Sequence, residues 1–547
     1  MTVAFTRALG YESGVQLNPL RDKSEIPSQD NADQIFGIVM RATRGRIDRP
    51  FVVSSGDVYT KLGAGEAVRV NALNEAWVQV VEALSNGAYQ AVVQRLVTSE
   101  AAIKYAVCKV DETGLKHTFE VSDELPESDF FLAVKHLECF NDGIKIAIHA
   151  EESDDDDATG NDYITLRVLD KDDTQLYEFS GSLDPDAKDD YGNPAYLPSV
   201  VETQTDALEV TIGATGDAAE IKKDSDAYGW KSGEQVWATS DTLVCFVEGS
   251  TTYETSDYEK ARKLLQNCPY DYAYISSGGS RATPLLLQLA KLAHATNRQL
   301  RFDIPGEYTP EAAIAFMKSL NFTGQDSAHL LQAFWAPLKT DDPTGVNPKG
   351  YYGVATLNIA LACARNAQTD SNGFAPKNYV IAGREHPISR TGITQTYVFV
   401  DADKEKSELA KAKINPCIYE SYTGGGRYVF FDSLTCAPVT NSLRKLIAVV
   451  DMSTTVDDAM TRAAKDFLQL PMSVAIEKMN TYMRDYFAHA EAAGWLVASD
   501  DAQMGGAAYK YQASANAAHP YDRMDVEYWV RYDGTNRQTY VTQTITK

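Results

Sequence analysis

Residues 345–386 read GVNPKGYYGVATLNIALACARNAQTDSNGFAPKNYVIAGREH. From Gly353 to Ala367 the segment is rich in Ala, Leu and Ile and carries no charge until Arg365. That pattern predicts a helix that is apolar on most faces, and such a helix must be buried. Pro348-Lys349-Gly350 predicts a turn before it, and Ser371-Asn372-Gly373 predicts its stop. Pro376 then leads into a short predicted strand over 379–382, closed by Gly383. Nothing in the stretch supplies a nucleophile, a metal cluster or a phosphate loop.

A chain of 547 residues is too long for one core, so two to four domains are expected. Its 44% hydrophobic and 23% charged residues are ordinary for a globular protein. No apolar run is long enough to predict a transmembrane helix, and the N-terminus reads as no secretion signal. Seven scattered cysteines without a CxxC pair predict free, buried thiols in a reducing compartment rather than a zinc site. The net charge of −25 is placed unevenly. Residues 101–250 hold 11 Lys and Arg against 34 Asp and Glu, whereas the rest of the chain holds 40 against 42. One segment therefore carries almost the whole excess, which marks it as a separate, solvent-facing module. A field of that sign repels nucleic acid and anionic lipid, so neither is expected as a partner.

Outward from the central helix, the second half alternates helix and strand. Helices are predicted over 256–266, with Ser256 and Glu259 as a capping box, over 281–296, and after Thr309-Pro310. Strands are predicted over 270–275, 299–304 and 329–335. Such alternation argues for a parallel sheet with helices on both faces. The first hundred residues add strands over 34–41, 50–53 and 89–97. Between them lies an amphipathic helix over 71–85 with Leu73, Trp77, Val80, Val81 and Leu84 on one face. Residues 101–250 read as short strands between Asp- and Gly-rich turns, a β-rich insertion. The six acids within Glu151–Asp157 lack EF-hand spacing and its Gly, so a solvated loop is favoured over a Ca²⁺ site. Beyond 400, a hairpin is predicted around Gly424-Gly425-Gly426, a strand over 442–451, helices over 456–468 and 474–493, and a terminal hairpin over 524–546 around Asp533-Gly534-Thr535-Asn536.

The fold class expected is α/β. A helix-covered sheet is built from N- and C-terminal parts, with a β-rich insertion and extended terminal arms. The divisions are an arm over 1–30, core over 31–100, the acidic insertion over 101–250, core again over 251–400, a C-terminal domain over 401–536 and a strand arm over 537–547.

The order of several short patterns resembles that of contractile tail sheath proteins, found in phages and related injection machines. The resemblance rests on Gly37, Arg44-Gly45, Asn86-Gly87 and Ala91 to Arg95 in the first hundred residues. In the insertion it rests on Ser182-Leu183-Asp184-Pro185. In the second half it rests on Arg365-Asn366, Gly373-Phe374-Ala375-Pro376, Asn415, Ile418, Gly424, Gly426, Ser433-Leu434 and Arg444. Two departures stand beside these matches. The family's Asn-Thr step is blurred by Ala513-Ser514-Ala515-Asn516, and the end of its acidic strand reads Phe302-Asp303-Ile304-Pro305. The resemblance implies a non-enzymatic structural subunit that stacks as hexameric rings around a tail tube and meets baseplate and tail terminator proteins. Contraction then drives the tube through an envelope, for genome ejection in a phage, with neither cofactor nor metal. The implied location is a virion tail assembled in the host cytoplasm.

Two surfaces follow. Residues 2–9 and 537–546 are strand-like and too short to bury a core, so Val3, Phe5, Arg7, Leu9, Tyr540, Val541, Thr542 and Ile545 are candidate inter-subunit arm residues. Folding back onto their own core, or disorder, is the competing reading. On the helix over 456–468, Asp457, Asp458, Arg462, Lys465 and Asp466 suit a polar, reversible contact with a tube, or an ordinary solvated helix face.

The competing class is a cytoplasmic α/β enzyme with an acidic insertion. Its best candidate residues are Asp303 at a strand end and the loop Ser276-Ser277-Gly278-Gly279-Ser280-Arg281. GxGxxG, GxxxxGK[ST], HExxH and GxSxG are all missing, which argues against nucleotide binding and the common hydrolases.

Overall fold

The computed structural model describes residues 32–110, 117–150, 163–189, 191–213, 230–231, 234–235 and 237–546. Residues 2–9, with Val3, Phe5, Arg7 and Leu9, and the acidic run Glu151–Asp157 lie outside the described residues.

Eight strands form the main sheet, in the order 51–54, 90–95, 35–40, 274–276, 299–304, 331–335, 414–422, 425–430. The six inner strands run parallel, and the two outermost are antiparallel to their neighbours. Strand Ile35–Met40 pairs with Gln90–Arg95 on one side and Tyr274–Ser276 on the other, so the two halves of the chain share one sheet. Side chains alternate across a strand. Phe36, Ile38 and Met40 therefore enter one apolar core with helices Glu75–Ser85 and Ala355–Asn366, while Ile35 and Val39 enter the other with helices Thr255–Gln266, Thr283–Thr296 and Pro310–Leu320. The predicted central helix is Ala355–Asn366, with only Leu361 and Ala364 less than fully buried.

The insertion is a sandwich of two four-stranded sheets around a core that includes Cys108, Leu132, Val134, Ile146, Leu166 and Val168. Its entry and exit strands, Ala102–Ile103 and Phe246–Val247, pair antiparallel. Arginines of the main sheet and its loops fasten it. Arg95 Nη1 donates to the carbonyls of Gly45 (3.0 Å) and Cys139, and Arg44 bonds Asp142 while lying over the Phe140 ring. Arg46 donates to the Asp206 carbonyl (2.7 Å), and Arg41 reaches Glu248 (2.9 Å). The C-terminal part is a helix pair, Ile447–Asp466 and Met472–Ala492, packed on the hairpin Tyr509–Ala515 with Met524–Val530. Met452, Val456, Met479, Met483 and Phe487 fill that interface.

Four local expectations are corrected. The strand expected over 442–451 is a 3-10 turn, Leu443–Lys445, followed by the first turn of helix Ile447–Asp466. A short buried apolar run does not reveal its own period, and Ile447 to Val450 are all buried. The strand expected over 379–382 is irregular. Arg365 Nη1 donates to the Tyr379 carbonyl (2.7 Å) and Asn358 Nδ2 to that of Ile381 (3.2 Å), so helix side chains take the acceptors a strand partner would use. The terminal hairpin lies earlier than expected, because Asn516 Oδ1 accepts from the amides of Ala518 and His519 and turns the chain there. The cap of helix Thr255–Gln266 is formed by Glu254 and Asp257, with the Glu254 amide donating to Asp257 Oδ2 at 2.9 Å; Glu259 instead pairs with Lys263.

Candidate functional site

The residues expected to suit an enzyme do converge, at the C-terminal ends of the central strands. Strand Gln299–Ile304 delivers Asp303, and the turn after Tyr274–Ser276 delivers Gly278 and Gly279 with left-handed backbone. The carboxylate of Asp303 is already engaged. Its Oδ1 accepts from the amides of Val354 (2.7 Å) and Ala355 (2.9 Å), the start of the central helix. A carboxylate at a helix N-terminus satisfies free amides and complements the helix dipole.

A second acid joins it. Glu75 Oε1 accepts from the Gly353 amide (2.6 Å) and from Gln79 Nε2 (2.9 Å), and the same Nε2 lies 3.2 Å from Asp303 Oδ2. One side-chain amide thus bridges two buried carboxyl groups. The approach needs glycine twice: a Cβ on Gly353 would lie 2.3 Å from the Asp303 carboxyl, and one on Gly279 would lie 2.4 Å from Glu75 Oε1. Burial, then the neighbouring Asp303 charge, push the Glu75 carboxyl up to about 7 against the Gly353 and Gln79 hydrogen bonds. Burial also raises Asp303. At the mouth, Arg281 pairs with Glu307. The free amides at the start of the central helix are thus taken by the chain's own acids.

The patterns behind the family resemblance are also buried ties. Arg365 donates to Asp451, and Asn366 Nδ2 donates to the Asp33 carbonyl and to Tyr274 Oη, both at 2.8 Å. Tyr274 Oη donates to Asp451 Oδ1 (2.9 Å). Lys377 Nζ, almost fully buried, sits 2.8 Å from Asp33 Oδ1, 2.6 Å from Thr455 Oγ1 and 3.5 Å from Asp451 Oδ1. This hub joins the start of the first strand, the end of the central helix and the start of helix Ile447–Asp466.

Sequence reasoning missed Glu75, Gln79, Lys377, Asp33 and Asp451. A signal existed for the first two. Glu75, Gln79 and Glu82 recur at spacings of four and three, a polar stripe on a helix read only for its apolar face. All three are buried, and Glu82 holds Arg390. For Lys377 and Asp451 no local pattern distinguishes them from surface charges.

The tube-facing candidates divide. Asp457 accepts from Tyr528 Oη and from Asn297 Nδ2 (3.1 Å), and Asp458 accepts from Arg298 (2.9 Å) and Arg462 (2.8 Å). Arg462 also reaches Asp271 at 3.0 Å. Lys465 and Asp466 are exposed. In the C-terminal arm, Tyr540, Val541 and Ile545 are 87%, 90% and 89% exposed, and residues 533–546 form no strand.

No protein-family model and no curated protein matches the chain. Among solved structures, a chain of the extracellular contractile injection system "PVC sheath complex in contracted state" is 13% identical. That match has a TM-score of 0.41 and covers 57% of this chain and 76% of that one. Chains in the anti-feeding prophage baseplate structures, one six-fold symmetrised and one contracted, match at 12% and 13% identity. Their TM-scores are 0.40 and 0.38, over 56% and 55% of this chain and 78% and 80% of those.

Proposed function

We propose that the chain is a structural, self-assembling sheath subunit of a contractile tail or injection machine. It polymerises as stacked hexameric rings around a tube, meets baseplate and terminator proteins at the ends, and drives the tube through an envelope on contraction. The observation that carries the reading is the use made of the residues behind the family resemblance. Arg95, Arg365, Asn366 and Asn415 are all buried, and each bonds segments distant in sequence. A series of weak patterns that coincides with the internal ties of the fold supports a structural likeness more than a catalytic one. The strand-end acid that would suit an enzyme holds a helix start instead, together with Glu75.

The chain divisions follow the same reading: acidic insertion outermost, where solvent and salt screen its charge, and terminal arms in neighbouring subunits. The exposed Tyr540, Val541 and Ile545 support the second assignment, since exposed strand-forming residues gain backbone partners by adding to another sheet. The test is assembly. Removing residues 1–20 or 537–547 leaves a folded chain that forms no tubes by negative-stain microscopy. Ordered tubes at wild-type concentration from both truncations would overturn the arm assignment. For the tube contact, Lys465→Glu is cleaner than Arg462→Glu, because Arg462 bonds Asp458 and Asp271 within its own chain. Lys465→Glu is expected to weaken co-assembly on tubes and spare the monomer's thermal unfolding.

A further inference from the structure

We propose that Glu75 and Asp303 form a proton-controlled clasp on the first turn of the central helix: one proton taken up from water by the pair keeps the helix start closed, and its release to water loosens it. The two carboxyl groups are 4% and 5% exposed and share one amide donor, Gln79 Nε2. Two anions that close, out of water, repel each other, so the pair favours holding a single proton.

The surrounding charges do not remove this requirement. Arg281, from the loop across the mouth, is paired with Glu307. Arg390, packed below, is paired with Glu82 and donates to the carbonyls of Tyr352 (2.8 Å) and Gly353. Tyr352, from the segment leading into the helix, donates its hydroxyl to the Pro348 carbonyl at 2.6 Å and gives the pair nothing. The remaining donors to the carboxylates are the backbone amides of Gly353, Val354 and Ala355. These amides are the first turn itself, so charge on the pair and geometry of the helix start are linked. The helix is the centre of one of the two main cores, with its far end in the Asp451 hub. A change at its start therefore reaches the joint with the C-terminal helices.

The sign follows from Glu75. A carboxyl raised from 4.5 to about 7 on folding contributes stability that is complete below 4.5 and lost as pH rises through about 7. Across that window the unfolding constant rises by up to about tenfold per pH unit from this group. The experiment is denaturant unfolding of the full chain at dilute, unpolymerised concentration between pH 5 and 8, with hydrogen exchange of the amides of residues 353–355 corrected for intrinsic rate. Wild type is expected to lose stability and amide protection as pH rises, and Glu75→Gln to remove that pH-dependent part. Asp303→Asn is expected to move the inflection to lower pH. Equal pH dependence in wild type and Glu75→Gln would overturn the proposal. If Glu75→Gln fails to fold, wild-type protection at residues 353–355 that does not change between pH 5.5 and 8 overturns it as well.

Discussion

Asn415 and Leu434 face each other like residues of two paired strands. The Leu434 amide donates to Asn415 Oδ1 (2.6 Å), and Asn415 Nδ2 donates back to the Leu434 carbonyl (2.8 Å). The same Nδ2 also lies 3.0 Å from the Ala333 carbonyl, on the neighbouring parallel strand. A side-chain amide thus supplies the donor and acceptor of a backbone, and it ties the loop after the outermost strand to the sheet.

Asn415→Ala leaves the Leu434 amide and carbonyl buried without that partner. The expected loss is about 2–4 kcal/mol, as for two such groups left unsatisfied. Asn415→Asp keeps the acceptor, loses the donor and buries a charge, so it is expected to be at least as damaging. Urea unfolding followed by tryptophan fluorescence reads both; a loss below 0.5 kcal/mol for either contradicts the tie.

Asp451 predicts the acid limb. Burial alone would raise its carboxyl, but the Lys377, Arg365 and Arg301 charges outweigh burial and hold it well below the usual range. A depressed carboxyl contributes stability that is present above its unfolded value of 3.8 and is lost as pH falls below it. Asp451→Asn leaves Arg365 and Lys377 buried with less countercharge, at a cost of about 3–5 kcal/mol. Its acid unfolding, followed by circular dichroism between pH 5 and 2, is expected to be shallower than wild type. A parallel limb would show that other carboxylates govern acid unfolding.

The insertion is tied too closely to be excised without consequence. Replacing residues 101–250 by a short linker removes the Cys139 and Asn141 acceptors of Arg95, and Glu248 from Arg41. Burial already lowers the Arg95 guanidinium to about 10, and the excision leaves it only the Gly45 carbonyl of these three acceptors. The excised chain is expected to keep its helical signal with a lowered Tm, and Arg95→Met in that background to recover part of the loss. No recovery would mean that the paired entry and exit strands, not the arginine ties, fasten the module.

The sequence alone determined the elements whose patterns are local. The central helix was legible because a run with almost no polar face has only one stable place, inside. The parallel sheet was legible from alternation, and the Gly424–Gly426 hairpin from its turn residues. Tertiary structure decided what local pattern does not encode. Ile447 to Val450 became helix rather than strand because buried apolar runs carry no period, and their partners lie far away in the chain. Residues 379–382 lost their strand to Arg365 and Asn358 on a neighbouring helix. Asp303 looked like chemistry because a strand-end acid is an active-site signature in isolation. Only the folded chain puts Glu75, Gln79 and the amides of residues 353–355 around it and makes the acid a clasp. The same holds for Lys377 and Asp451, ordinary charges in sequence, whose burial exists only because three distant segments converge on them.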